Sequence, residues 1–349
     1  MLRIIADNPF RVLGLDATAT YDDISLVKRK IESANKLGRV HQGVWQGEER
    51  LGVIVRTNPA VNTALTTLGE PIQRVRARLL WYHSNPLWFV SKLVNQNQSI
   101  QDIVLNHDLA LNSILRAVQE DPRVYSPGLW HCAVEMWLAC LENPTFWQYI
   151  WGLEQDACFP KAILETEFND LRNNPPYLPL EIWLFLAKQF LDKHDMDGFL
   201  RLNNLARDSA LGQLWDEEVL KSIIKPIEYQ LGDSARQISD ILGQVNRKNS
   251  EAATSREHNK KVADAAASIL VLSIQPNVNR LKGMPGIEEG LIRWSQDLLA
   301  TCLLDISNAY TWADEWRLSN YLLKESASWV EEKSALGLKV LRALKRRGI

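Results

Sequence analysis

The chain has 349 residues, 46% of them apolar, with 40 Lys and Arg against 42 Asp and Glu for a formal net charge of −2. That length exceeds what one hydrophobic core usually supports, and the composition is ordinary for globular chains, so wholesale disorder is excluded and two or three domains are expected. Four cysteines without a Cys-x-x-Cys spacing, and no apolar run near the roughly 18 residues of a membrane span, argue for reduced thiols and against a membrane helix.

The opening from Met1 to Phe10 lacks a basic stretch followed by an apolar one, so a cytoplasmic location is expected. Charge is unevenly spread: residues 1–85 hold 12 Lys and Arg against 8 Asp and Glu, and the remainder 28 against 34. A mildly basic head therefore precedes an acidic body. That imbalance suits an acidic partner but is too small to argue for nucleic acid by itself.

Nearly every segment repeats apolar residues at i, i+3, i+4 and i+7, the mark of one-sided helices, and an all-α fold is predicted. Five Asn-Pro pairs, beginning at Asn8, Asn58, Asn85, Asn143 and Asn174, offer a capping amide and then a ring preset for the first helical position, and they read as helix starts. A short helix is predicted from Pro9 to Gly14. A longer one follows Thr20, whose spacing to Asp23 fits a capping box, with Ile24, Val27, Ile31, Ala34 and Leu37 on one stripe and Gly38 as its end. After a long loop, a helix carries Val61, Ala64, Leu65 and Leu68, and a final one carries Arg74, Arg76 and Arg78.

Further on, residues 102–118 and 129–141 are predicted as a packed hairpin, Asn174 to Pro179 as a joint, and 180–231 as more helices. Arg247 to Lys261 is almost wholly polar, Gln275 to Gly286 reads as a Pro/Gly loop, and two long amphipathic helices run to a basic end at Lys345, Arg346 and Arg347. No fixed period recurs along the whole chain. Irregular helical hairpins of tetratricopeptide-like texture are expected rather than a regular solenoid.

The stretch from Asn8 through Pro9, Phe10, Arg11, Val12, Leu13 and Gly14 to Leu15 is similar to the aromatic-x-x-Leu-Gly-aliphatic opening of the J-domain family, the co-chaperone module that docks on DnaK-type ATPases. Thr20-x-x-Asp23-Ile24 is similar to the start of that family's second helix. The run from Ala64 through Leu68, Glu70 and Pro71 to Arg74 resembles the end of its third. The resemblance covers about seventy-five residues and implies a J-like module over 1–85; periodicity alone gives the Trp-rich hairpins expected over 86–175 and the helical C-terminal region expected over 176–349. It implies docking through basic residues of the second helix, which fall here on Lys28, Arg29 and Lys36, and Arg74, Arg76 and Arg78 join them as candidate partner contacts. The His-Pro-Asp tripeptide with which the family triggers ATP hydrolysis is absent, its loop offering His41-Gln42-Gly43, so docking without triggering is implied.

Enzyme chemistry was sought alongside. His83 and the pair His107-Asp108 suit a metal-dependent phosphohydrolase of the HD class, in which His and Asp from separate helices hold ions that activate water, but no second His cluster accompanies them. His131 and Glu135 stand at i, i+4 without a third ligand, and Asp195-Met196-Asp197-Gly198 imitates a calcium loop with Lys193 at the first ligand position. No Gly-rich phosphate loop or nucleophile elbow is present. Thirteen tryptophans, including Trp130, Trp137, Trp147, Trp151, Trp312, Trp316 and Trp329, fit either a core or a binding groove.

The expectation is therefore a non-enzymatic adaptor or co-chaperone-like protein without metal or cofactor. A DnaK-type ATPase is the candidate partner of its head, and a second protein that of its body. A metal-dependent phosphohydrolase and a nucleic-acid-associated subunit are the alternatives.

Overall fold

The computed structural model describes residues 3–38, 51, 54, 56–83, 98–121, 126–245 and 253–349. His41-Gln42-Gly43, the Asn85-Pro86 pair and the segment from Arg247 to Ala252 lie outside these residues. The described chain is all-α, without a strand, and no helix in it is long and apolar enough to cross a membrane.

The head comprises α1 (Arg3–Ala6), α2 (Pro9–Leu13), α3 (Tyr21–Lys36), α4 (Asn58–Gly69) and α5 (Pro71–Leu79). Asn8 caps α2 by accepting from Phe10 N at 3.0 Å, and Gly14 ends that helix at φ 74°, where a side chain would be strained. The capping box at Thr20 forms, with Asp23 N donating to Thr20 Oγ1 and Thr20 N to Asp23 Oδ2. Two of the Asn-Pro starts shift. Thr57, one residue ahead of Asn58, is the cap of α4, and Asn174 ends a helix instead of opening one.

Packing divides the described chain into two compact units. Met1–Ala187 with Asn204–Trp215 forms the first, which holds both the head and the Trp-rich hairpins. Beyond the head this unit contains α6 (Gln98–Glu120), α7 (Pro127–Glu142), α8 (Pro144–Asp156), α9 (Glu165–Asn173) and most of α10 (Leu178–Asp192). Its described tryptophans are core apart from Trp151, which is half-buried. Trp130, Trp137, Trp183 and Trp215 are at most 1% exposed, and Trp183 lies 5.8 Å from Trp130 and 6.4 Å from Trp215 between ring centroids. Trp137 and Trp147 give their indole protons to Pro176 O and Leu141 O, while those of Trp130 and Trp183 meet no acceptor.

The second unit, Lys188–Asn203 with Asp216–Ile349, takes in α11 (Met196–Arg207) in part, α13 (Lys225–Leu242), α14 (Ala253–Ile269), α15 (Gln275–Gly283), α16 (Glu289–Trp312), α17 (Trp316–Ser328) and α18 (Ala335–Arg347). Asp195 Oδ1 accepts from Gly198 N at the start of α11, the turn expected there. A π-helical turn, Leu220–Ile224, joins α12 (Gly212–Val219) to α13, and a second, Leu270–Ile274, joins α14 to α15. Each stands just before a proline, Pro226 or Pro276, and the two share the spelling Leu-x-x-x-Ile-x-Pro. Proline lacks an N–H and its ring would press on the carbonyl four residues back. Widening the helix, with Lys225 N bonding to Leu220 O and Gln275 N to Leu270 O, relieves that clash. The expected loop from Gln275 to Gly286 is corrected accordingly: it is helical as far as Gly283.

Serines let the helices of this unit approach closely. Ser295, Ser307, Ser319 and Ser326 are fully buried, Ser326 Oγ donates to Ala300 O across α17 and α16, and Ser234 Oγ meets Ser273 Oγ at 2.7 Å.

Trp183→Ala should cost about 3–5 kcal/mol, as large-to-small core changes do, whereas Trp183→Phe, which also deletes the unanswered N–H, should cost clearly less. Denaturant melts of the two variants followed by tryptophan fluorescence check this ordering.

Candidate partner-binding face

α3 buries Ile24, Val27 and Ile31, each at most 4% exposed, which fixes the opposite side as the one it presents outward. At 100° per residue that side gathers Asp22, Arg29, Ser33 and Lys36, with Leu26 and the following Leu37 beside them and Lys30 toward the flank. All seven are exposed, Leu26 at 45% and Leu37 at 70%, and Leu26, Arg29, Lys30 and Ser33 line a shallow groove. Leu37 thus leaves the buried stripe on which it was expected. Two leucines about 16 Å apart at 1.5 Å per residue bracket three cations.

The candidate cations separate. Arg29 and Lys36 belong to the outward face. Lys28 turns to the flank, 3.9 Å from Glu32. Lys30, about 60° round the helix from Val27, is on the flank by angle but lines the groove with Leu26, Arg29 and Ser33, which helical spacing from the buried stripe did not single out. Arg76 is exposed on α5.

Arg74 and Arg78 are corrected. Both are fully buried and both bind one carboxylate, Glu154 of α8, so no partner can reach them. Arg74 Nε and Nη2 donate to Glu154 Oε2 at 2.9 and 2.7 Å, and Arg78 Nε donates to Oε1 at 2.7 Å. The remaining guanidinium protons go to carbonyls: Arg74 to Leu68 O and Lys161 O, Arg78 to Ala17 O and Ala19 O. Phe159 lies under Arg74 with 3.9 Å from Cζ to the ring centroid. Burial lowers the pKa of Arg78, and the adjacent Glu154 carboxylate pulls the other way.

The residues considered for hydrolytic chemistry also meet in the interior. His83 and His107 stand edge to face, 4.7 Å between centroids, and their Nε2 atoms lie 2.9 Å from Arg78 O and Leu79 O at the end of α5. Asp108 Oδ1 accepts from His83 N at 2.9 Å and lies 3.1 Å from His107 Nδ1, while Tyr149 Oη is 3.3 Å from His83 Nδ1. Because Nε2 of His83 must carry a proton to bond a carbonyl, its Nδ1 accepts from Tyr149 when the ring is neutral. Burial first, then the charges of His107 and Arg78, push the His83 pKa well below 6.5. The same burial raises the Cys140 thiol to about 11, with Asp108 adding to it. As built, this cluster is a hydrogen-bonded joint between α5 and α6. Among the described residues no group of three His, Cys, Asp or Glu is placed to hold a metal ion.

Removing Glu154 leaves two buried guanidiniums without a counter-charge, so Glu154→Ala should cost about 3–5 kcal/mol, while Lys30→Ala on the surface should stay within about 0.5 kcal/mol. Urea melts decide between them. His83 is neutral when folded and titrates near 6.5 when unfolded, so the unfolded chain binds the extra proton and stability falls with pH below 6.5, by up to about 1.4 kcal/mol per pH unit. The difference between wild type and His83→Gln, followed from pH 7.5 to 5, should carry that slope.

Comparisons of the chain with protein families, with curated proteins and with solved structures return no match.

Proposed function

We propose that this protein is a non-enzymatic adaptor that docks an acidic partner protein on the outward face of α3. The observation carrying this reading is the composition of that face: Arg29, Lys30 and Lys36 exposed between Leu26 and Leu37. Cations supply steering and orientation, and the leucines supply apolar area that a phosphate backbone would not use. The similarity of the head to J-domains names a DnaK-type ATPase as the partner class, and the missing His-Pro-Asp tripeptide makes the reading one of docking without stimulated hydrolysis.

The test mixes the purified chain with a DnaK-type ATPase and follows binding by fluorescence anisotropy together with single-turnover ATP hydrolysis. A salt-sensitive complex is expected, with hydrolysis unstimulated and affinity falling at least ~10-fold when Arg29, Lys30 and Lys36 are all changed to Glu. Lys28→Glu, on the flank, should change affinity less than ~2-fold. Absence of a complex, or a complex indifferent to the triple reversal, rejects the reading. Transfer of binding to duplex DNA, with a steep salt slope, would replace it with the nucleic-acid alternative.

A further inference from the structure

We propose that the seam between α16 and α17 is a helix-receiving site now filled by the chain's own C-terminal helix, α18, and that α18 of a second copy can take its place. Of the thirteen residues of α18, Gly337 and Val340 alone are buried. Val340 completes a small cluster with Leu304 of α16 and Leu323 of α17, and Leu336, Ala343 and Leu344 pack at its edge. So little buried apolar surface places α18 at the low end of local stability, where it opens without the rest of the fold.

The second attachment is Arg347, and its surroundings have the character of a receptor. Ser307 Oγ donates to Ser319 O at 2.8 Å, Ser319 Oγ donates to Ser307 O at 2.6 Å, and Thr311 Oγ1, 2.8 Å from Ser319 Oγ, has its proton between those two oxygens. With their protons spent inside the cluster, these three hydroxyls turn lone pairs outward, and Arg347 takes them: Nη1 to Ser307 Oγ at 3.1 Å and to Ser319 Oγ at 2.5 Å, Nη2 to Thr311 Oγ1 at 2.8 Å. The bonds that orient the hydroxyls lie within α16 and α17, so the cradle survives departure of its guest. It holds a guanidinium by direction rather than by opposite charge, since the acceptors are met from two separate nitrogens, Nη1 and Nη2, where a lysine offers one.

A fitting guest is an amphipathic helix with apolar residues at i, i+4, i+7 and i+8 and an arginine at i+11. Leu336, Val340, Ala343, Leu344 and Arg347 spell that pattern, so the resident helix defines the occupant, and another copy of the chain supplies it again. Exchange of an identical element between chains is a low-cost route to association.

The experiment uses the full chain and a fluorescein-labelled peptide of residues 335–349. Arg347→Ala in the chain loosens the resident helix while leaving the cradle intact. It should therefore bind the peptide at least ~10-fold more tightly than wild type, and adding Ser319→Val should abolish that gain. Independently, hydrogen exchange of the wild-type chain should show α18 amides exchanging at least ~10-fold faster than those of α16. No peptide binding by Arg347→Ala, binding indifferent to Ser319→Val, or α18 exchanging in step with α16 would each overturn the proposal. The last of these requires no variant to fold.

Discussion

One carboxylate answering two guanidiniums organises the N-terminal unit. Glu154 is buried, and without Arg74 and Arg78 its charge would have no place in an apolar helix beside Phe146, Trp147 and Ile150. The triad carries one surplus positive charge, and carbonyls and aromatic faces absorb it. Arg78 reaches Ala17 O and Ala19 O, the two carbonyls flanking the entry to α3, and Arg74 reaches Leu68 O at the end of α4. The interaction thus ties three head helices to α8 at once. Cutting the chain near residue 85 would leave both arginines without their carboxylate.

The same tie sets up the outward face. With Ala17 and Ala19 fixed and Thr20 capping, α3 starts at a defined point and direction, and its three buried aliphatics leave one rotation for the rest. Leu26, Arg29, Lys36 and Leu37 face outward because Ile24, Val27 and Ile31 face in. A surface built from residues eleven positions apart is therefore as well defined as the core that orients it, and that is what a docking face requires.

Much of this was legible in the sequence. The stripe of α3, the capping box and the order of the head helices follow from local spacing, and local spacing is what a single sequence records. The burial of Arg74 and Arg78 does not follow, because their partner lies about eighty positions away. A trace of it was present, since Glu154 continues the i, i+4 series of Phe146 and Ile150 and so places a carboxylate in a buried stripe. Pro276 misled for another reason: proline ends a regular helix, but a wider turn absorbs it, and the match with Pro226 becomes visible only once both turns are seen. Serines such as Ser307 and Ser319 read as surface residues, yet their small size is what lets α16 and α17 close on each other.

Basic residues near the two ends of the chain show why charge alone assigns no role. At the C-terminus, Lys345, Arg346 and Arg347 sit where cations favour the negative end of a helix dipole, and that suffices for the two that are exposed. Arg347 differs by its acceptors, three hydroxyls already oriented by carbonyls and by one another. Arg74 and Arg78 differ by Glu154, and Lys28 by Glu32. Arg29 and Lys36 are distinguished by geometry, since the buried stripe turns both outward, and Lys30 lines the groove beside them. A cation spent on an internal carboxylate or carbonyl fixes a helix, whereas one turned outward between leucines has its strongest available interaction with another molecule. The function proposed for α3 follows from that difference in where the charge is directed, and the six candidate cations counted without their partners would have predicted six contacts where the fold leaves three, Arg29, Lys36 and Arg76.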